Sequence, residues 1–301
     1  MTLQPRLSAA CAALRRHALV TAGLLACGLV QAAEAPQTVT GLKTPESVLV
    51  TRDGRIVVSE IAGFGQDGDG RLSLVQPDGS LKTLVDQGLN DPKGLAELNG
   101  IVYVADRDRI LKVDRDGVLL TFVPADAFPS PPKFLNDLVF DAEGQLYVSD
   151  SGDLLSGGGG GAIYRVSPHG EVTLLINEAQ DPAIRNPNGL LFDRGNPKQL
   201  LVLDFGTGEL LRLDLSQGVK LSKLASGFGG GDGLAQDKQG LLILSDWKNG
   251  KVFKLDLKRA GAQPVVYPQA FQASADLTLS ADGKTILVPD MKAGTLVFLP
   301  K

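Results

Sequence analysis

The chain has 301 residues, 30 basic and 34 acidic, for a formal net charge of −4. Expected removal of residues 1–35 takes three Arg and one Glu and leaves 27 basic against 33 acidic residues. That balance offers no basic face to nucleic acid or to an anionic membrane. Both cysteines, Cys11 and Cys27, lie in the same segment, so residues 36–301 hold no thiol, disulfide or cysteine metal site, and His169 is the only histidine among them.

The first element in chain order is a leader. Arg6, Arg15 and Arg16 precede the apolar run "ALVTAGLLACGLVQAAEA", and small residues up to Ala35 suit signal-peptidase cleavage. Residues 1–35 therefore read as a secretory signal, with a periplasmic or secreted product. "LLAC" offers an alternative, a lipid anchor at Cys27. No later stretch is apolar for long enough to read as a membrane span.

From residue 36 onward one unit recurs: "PESVLVTRDGRIVVSE", "PKGLAELNGIVYVAD", "FLNDLVFDAEGQLYVSD", "PNGLLFDRGNPKQLLVLD", "GDGLAQDKQGLLILSD" and "SADLTLSADGKTILVPD". Each is an apolar strand, a turn such as Asp53-Gly54 or Asn99-Gly100, and a second strand ending in an acid. A third strand follows, then a weaker fourth. The equivalent positions Glu46, Lys93, Asn136, Asn188, Asp232 and Ala275 are 47, 43, 52, 44 and 43 residues apart. Four strands per repeat, six times over, predict an all-β, six-bladed β-propeller over residues 36–301. The sixth repeat reaches only its third strand at Lys301, so residues 36–42 are expected to supply its outer strand and close the ring.

Two other recurring features carry less chemistry. Glu60, Asp106, Asp150, Asp204, Asp246 and Asp290 end the second strands, and an acid repeated in every blade fits a backbone N–H acceptor. "SGDLLSGGGGGAIY" enlarges the loop after Asp150; its five glycines lack the Lys-Ser/Thr of a phosphate-binding loop and read as a mobile surface loop. His169, in "SPHG", reads as a solvated turn residue, so no Ser-His-Asp or Cys-His arrangement can be assembled.

The first strand of a propeller blade lines the central channel, so equivalent first-strand positions form a ring. Glu46, Asn136, Asn188 and Asp232 would bring two carboxylates and two amide oxygens together. Facing carboxylates in a narrow channel require protonation or a cation. A hard-oxygen set suits Ca²⁺, with Mg²⁺ or Mn²⁺ as alternatives, and lacks the His and Cys that Zn²⁺ prefers.

Glu46 in "TPES", Asn136 in "FLND", Asn188 in "NPNGL" and Asp232 in "GDGL" resemble the gluconolactonase and senescence-marker-protein (regucalcin) family. Related calcium-dependent phosphotriesterases and paraoxonase-type lactonases share the same ring of ligands. The resemblance implies a divalent metal held by Glu46, Asn136, Asn188 and Asp232, with Asn136 also placed to contact substrate. It implies a metal-dependent hydrolase acting on a small-molecule lactone or related ester. Asp232 and Asp137 are the candidate bases. Lys93 would bind a carboxylate or phosphate of the substrate, assist the oxyanion or neutralise Glu46, and Asp276 would support the ring. Sugar-lactone members often carry Arg just before the "ND" pair, where this chain has Lys133-Phe134-Leu135. A phosphotriesterase-type hydrolase is one alternative. "VADRDRILKV" and "VSDSG" are similar to the NHL repeat, and a binding propeller with a structural ion is another.

Overall fold

The computed structural model describes residues 37–259 and 261–301. The expected leader, with Cys27, lies outside them. No helix among the described residues is long and apolar enough to cross a membrane.

Six four-stranded antiparallel sheets form a six-bladed β-propeller. The innermost strands are Pro45–Val50, Pro92–Leu98, Leu135–Phe140, Pro187–Phe192, Gly231–Gln236 and the short Thr278–Leu279. They touch one another in cyclic order, and a parallel bridge from Ser47 to Asp276 joins the first blade to the sixth. Ring closure follows the expected route. Gln37–Thr40 pairs antiparallel with Thr295–Pro300 and becomes the outer strand of the sixth blade.

The nearly continuous apolar strands are explained by burial on both faces. Along Gln199–Asp204, Leu200 and Val202 pack with Tyr147 and Ile163 of the third blade, whereas Leu201 and Leu203 pack with Leu244 and Phe253 of the fifth. Successive side chains of a strand point to opposite faces, so one strand serves two neighbours. The core is consequently a set of wedges between adjacent blades. Hairpin chemistry sets the register. Asn99 and Gly100 take φ of 53° and 83° and join Leu98 directly to Ile101, as a two-residue turn with both central residues left-handed requires.

A local irregularity recurs at the ring. The register between first and second strands slips between Pro45 and Val48, Pro92 and Leu95, Leu135 and Leu138, Pro187 and Leu190, and Gly231 and Leu234. Each slip adds one residue to the inner strand, a β-bulge that re-aims side chains at that point. Glu46, Lys93, Asn136, Asn188 and Asp232 each lie within one of these intervals.

The glycine in "NGL" and "DGL" belongs to these strands, not to a turn. A Cβ on Gly189 would lie 2.2 Å from the Asp232 carbonyl oxygen, and one on Gly233 would lie 2.5 Å from the Leu277 nitrogen. The missing side chain lets neighbouring inner strands close around the axis. Gly189→Ala is expected to cost about 1–3 kcal/mol through overpacking. Gly195→Ala, whose Cβ would meet nothing closer than 3.4 Å, should stay within about 0.5 kcal/mol of the parent. Urea denaturation of both variants tests this, and equal midpoints would remove the close-packing account.

Candidate functional site

The bulges bring Glu46, Lys93, Asn136, Asn188 and Asp232 to one cavity of about 260 Å³. All five side chains are buried, Lys93 to 1% exposure. Among the described residues, six buried side-chain polar atoms have no hydrogen-bond partner. Three of them are Glu46 Oε2, Asn188 Oδ1 and Asp232 Oδ1, all in this cavity. An unpaired buried acceptor costs about 1–3 kcal/mol, so three converging on one space point to a missing electropositive partner.

Asn136 is oriented by a residue that the sequence reading passed over. Its Nδ2 donates to Ser151 Oγ at 3.0 Å, and Ser151 Oγ donates to the Pro187 carbonyl at 2.7 Å. With the amide nitrogen engaged, Oδ1 is the end available to the cavity.

The electrostatics agree with a site short of positive charge. Burial, reinforced by Asp232 and Asp276, pushes the Glu46 carboxyl well above the ordinary range, and Lys93 only partly opposes this. Burial, with the charges of Asp276 and Asp137, does the same to Asp232. Lys93 is itself lowered by burial, against the pull of Glu46 and Asp91. Its Nζ donates to the Asp91 carbonyl at 2.9 Å and sits 4.2 Å from the centre of the Phe134 ring. No ion pair joins it to Glu46 among the described residues.

Asp137 is placed elsewhere. It lines a different cavity, formed with Asp276, Leu190 and Leu234 toward the other end of the inner strands. Its Oδ1 accepts from the Leu138 N–H and its Oδ2 from the Leu190 N–H, both at 2.6 Å. Within the bulge Asn136 faces the cavity of the ring while its neighbour faces this second one. Asp276 also lies in the lower cavity and accepts from Ser47 Oγ. Ala275, the sixth ring position, is fully buried with Ile61 and Met291.

The recurring acids hold the approach to the ring. Asp204 accepts from the Asn186 N–H at 2.9 Å, Asp246 from Gly229 and Gly230 at 2.9 and 3.0 Å, and Asp290 from Gln272 and Ala273 at 2.7 and 2.9 Å. Asp150 accepts from Phe134, Asp106 from Asn90 and Glu60 from Lys43. In every blade the acid at the end of the second strand therefore ties down the segment two or three residues before the ring position.

The residue after each acid builds the mouth. Ile61, Phe205, Trp247 and Met291 line the cavity, and Ser151 is the member that orients Asn136. Arg107, the remaining member, binds Asp91 and Asp67 and so anchors the loop that carries Phe64. The glycine-rich segment is a surface loop held by hydrogen bonds at its base. Asp153 N–H donates to the Gly159 carbonyl, Gly161 N–H to the Arg185 carbonyl, and Asn186 Nδ2 to the Ser151 carbonyl. This flap presents Leu154 and Leu155 to the cavity. His169 is an exposed turn residue, as expected.

Among the described residues no group of three or more His, Cys, Asp or Glu is placed to hold a metal. The donors gathered here are two carboxylates and two amides, a composition outside that class.

Several solved structures share this architecture. A calcium-binding protein, regucalcin, from Agrobacterium tumefaciens superposes with a TM-score of 0.69 at 19% identity, covering 86% of this chain and 90% of its own. A gluconolactonase from Xanthomonas campestris gives a TM-score of 0.68 at 18% identity, covering 88% and 89%. Virginiamycin B lyase from Staphylococcus aureus gives 0.59 at 16% identity, covering 84% and 79%. At such identities these likenesses establish the fold. Protein STRICTOSIDINE SYNTHASE-LIKE 3 of Arabidopsis thaliana is 32% identical over 149 residues, which span 43% of this chain and 38% of that relative. Residues 89–288 match the SMP-30/gluconolactonase/LRE-like region, and with the six-bladed ring this places the chain in the SMP-30/gluconolactonase/LRE-like family.

Proposed function

We propose that the protein is a divalent-cation-dependent hydrolase of lactones or closely related esters. The observation that carries the proposal is the set of three unpartnered buried oxygens, on Glu46, Asn188 and Asp232, in one cavity. Asn136, turned by Ser151, adds a fourth donor of the same hard-oxygen type. Such a set fits Ca²⁺ best, with Mg²⁺ or Mn²⁺ as alternatives. A bound cation would keep Glu46 and Asp232 ionised and would polarise the carbonyl of an ester.

The chain's own groups then divide the work. Asp232, with Oδ1 unpartnered in the cavity, would accept the proton of the attacking water. Asp137, in the lower cavity with both oxygens accepting backbone N–H groups, takes a positioning role in this reading in place of the base expected from its adjacency to Asn136. It ties the Leu190 amide, two residues beyond Asn188, to the third blade. Lys93 Nζ, with one proton on Asp91, has others to offer an oxygen of the substrate. Membership of a family named for gluconolactonase, and the calcium-binding description of one structural neighbour, support the same reading.

The test is lactone hydrolysis by the purified protein before and after chelation. Activity should disappear with chelator and return with added Ca²⁺. Turnover that is indifferent to chelator, in protein shown by elemental analysis to hold no metal, would sink the cation-dependent mechanism.

A further inference from the structure

The walls of the cavity differ in character from its floor. The ring supplies the polar groups; above it stand Ile61, Phe64, Phe134 and Leu155 from the first three blades and Phe205, Trp247 and Met291 from the last three. Lys248 is the single charged side chain among the wall residues. Even the polar edge of the indole is spent, since Trp247 Nε1 donates to Met291 Sδ at 3.2 Å. The aromatic residues are fixed in pairs. Phe64 stacks on Phe134 at 6.4 Å between centroids, and Phe205 meets Trp247 at 6.1 Å.

Two of these wall residues are exposed in a way folding alone does not reward. Phe64 is 41% and Leu155 68% accessible, on separate loops at the same mouth. Large apolar groups left in water at the rim of a concave site mark a surface that a ligand covers. A polyhydroxylated ring entering here would surrender its hydrogen bonds to water and find few replacements. Each unmet hydroxyl would weaken binding.

We infer that the substrate is a lactone carrying a hydrocarbon substituent, with its ester group at the ring of oxygens and its alkyl chain between Phe64, Leu155, Trp247 and Met291. This deepens the hydrolase reading and rests on it. At about 260 Å³ the cavity falls just under the roughly 300–1,000 Å³ of drug-sized sites, so a small ring with a short chain fills it.

Trp247 is the only tryptophan in the chain, so its fluorescence reports on the cavity directly. The binding probes are 3-alkylcyclopentanones from methyl to pentyl, which have the shape of γ-lactones and cannot be hydrolysed. The expected result is saturable quenching that tightens by up to about fourfold per added methylene. A parallel rise in kcat/KM is expected along the matching γ-lactones, with γ-nonalactone at least about 100-fold better than gluconolactone. Phe64→Ser and Leu155→Ser, both on exposed loops, should flatten the chain-length dependence of quenching. Gluconolactone turning over as well as γ-nonalactone would overturn the inference and leave the hydrolase standing. A ketone series without chain-length dependence would also overturn it. Ketones that bind with the expected slope, in a protein that opens no lactone, would uphold the apolar ligand and remove the hydrolase.

Discussion

Asp232→Asn is expected to lower kcat/KM for lactone hydrolysis by on the order of 10²–10³, the range seen when one charge-stabilising group is lost from an acyl-transfer site. The substitution preserves volume and removes one negative charge from a set of two. Cation affinity should fall with activity, because Asn188 and Asn136 are neutral and Glu46 alone would remain to balance a dication. The metal-free protein should respond in the opposite direction. Asp232 is buried with Oδ1 unpartnered and its carboxyl pushed up by burial and by Asp276, so neutralising it relieves a standing cost. The combined signature is a variant that melts higher than the parent in chelator and gains less from Ca²⁺. Calorimetric titration and paired melting curves measure both halves. A variant with parental calcium affinity and parental rate would show that Asp232 is not a ligand.

The architecture was legible in the sequence because a propeller repeats one local rule. Turn residues such as Asn99-Gly100, apolar runs and terminal acids recur at a spacing that admits few other folds. The ring was legible as a column: equivalent positions converge once the fold is closed, and Glu46, Asn136, Asn188 and Asp232 do share one cavity. Two further features are written in the sequence but take their meaning from the fold. A glycine after Asn or Asp is common turn chemistry, whereas after Asn188 and Asp232 its cause is the approach of the next inner strand, a contact invisible from local pattern. The position after each recurring acid is a second column, and Ile61, Ser151, Phe205, Trp247 and Met291 occupy it in five blades. Its members share no chemistry, so only the geometry reveals that they share a place. Asp137 illustrates the limit of adjacency. It follows Asn136 directly, yet its side chain lines a different cavity and gives both carboxylate oxygens to backbone N–H groups.

In chelator, the protein should be most heat-stable at mildly acid pH and lose stability as pH rises toward 8. The channel carboxyls Glu46, Asp232, Asp137 and Asp276 are all shifted upward by burial, Asp276 to about 7. A group whose pKa is higher in the folded than in the unfolded state binds protons preferentially when folded. Its stabilising effect is complete below the unfolded value of about 4 and disappears as pH climbs through the folded value. Surface carboxyls act in another window. Asp78, Asp214 and Asp282, lowered first by hydrogen bonds from Ser80, Ser216 and Ser280, stabilise the fold above about pH 4 and lose that effect on acidification below it. Between about pH 4 and 7 the channel groups therefore set the slope, with buried Asp106, Asp150 and Asp204 adding a smaller contribution of the same sign. Calcium changes the balance because it binds the ionised carboxylates. Its affinity should rise with pH, and saturating Ca²⁺ should lift the melting temperature far more at pH 8 than at pH 5. Asp276→Asn should reduce the slope in chelator while leaving the calcium increment in place, since Asp276 lies in the lower cavity with Ser47. Melting temperatures across this pH range, with chelator and with Ca²⁺, decide the matter; a chelated protein that grows steadily more stable from pH 5 to 8 would mean that the channel carboxylates are already compensated without a cation.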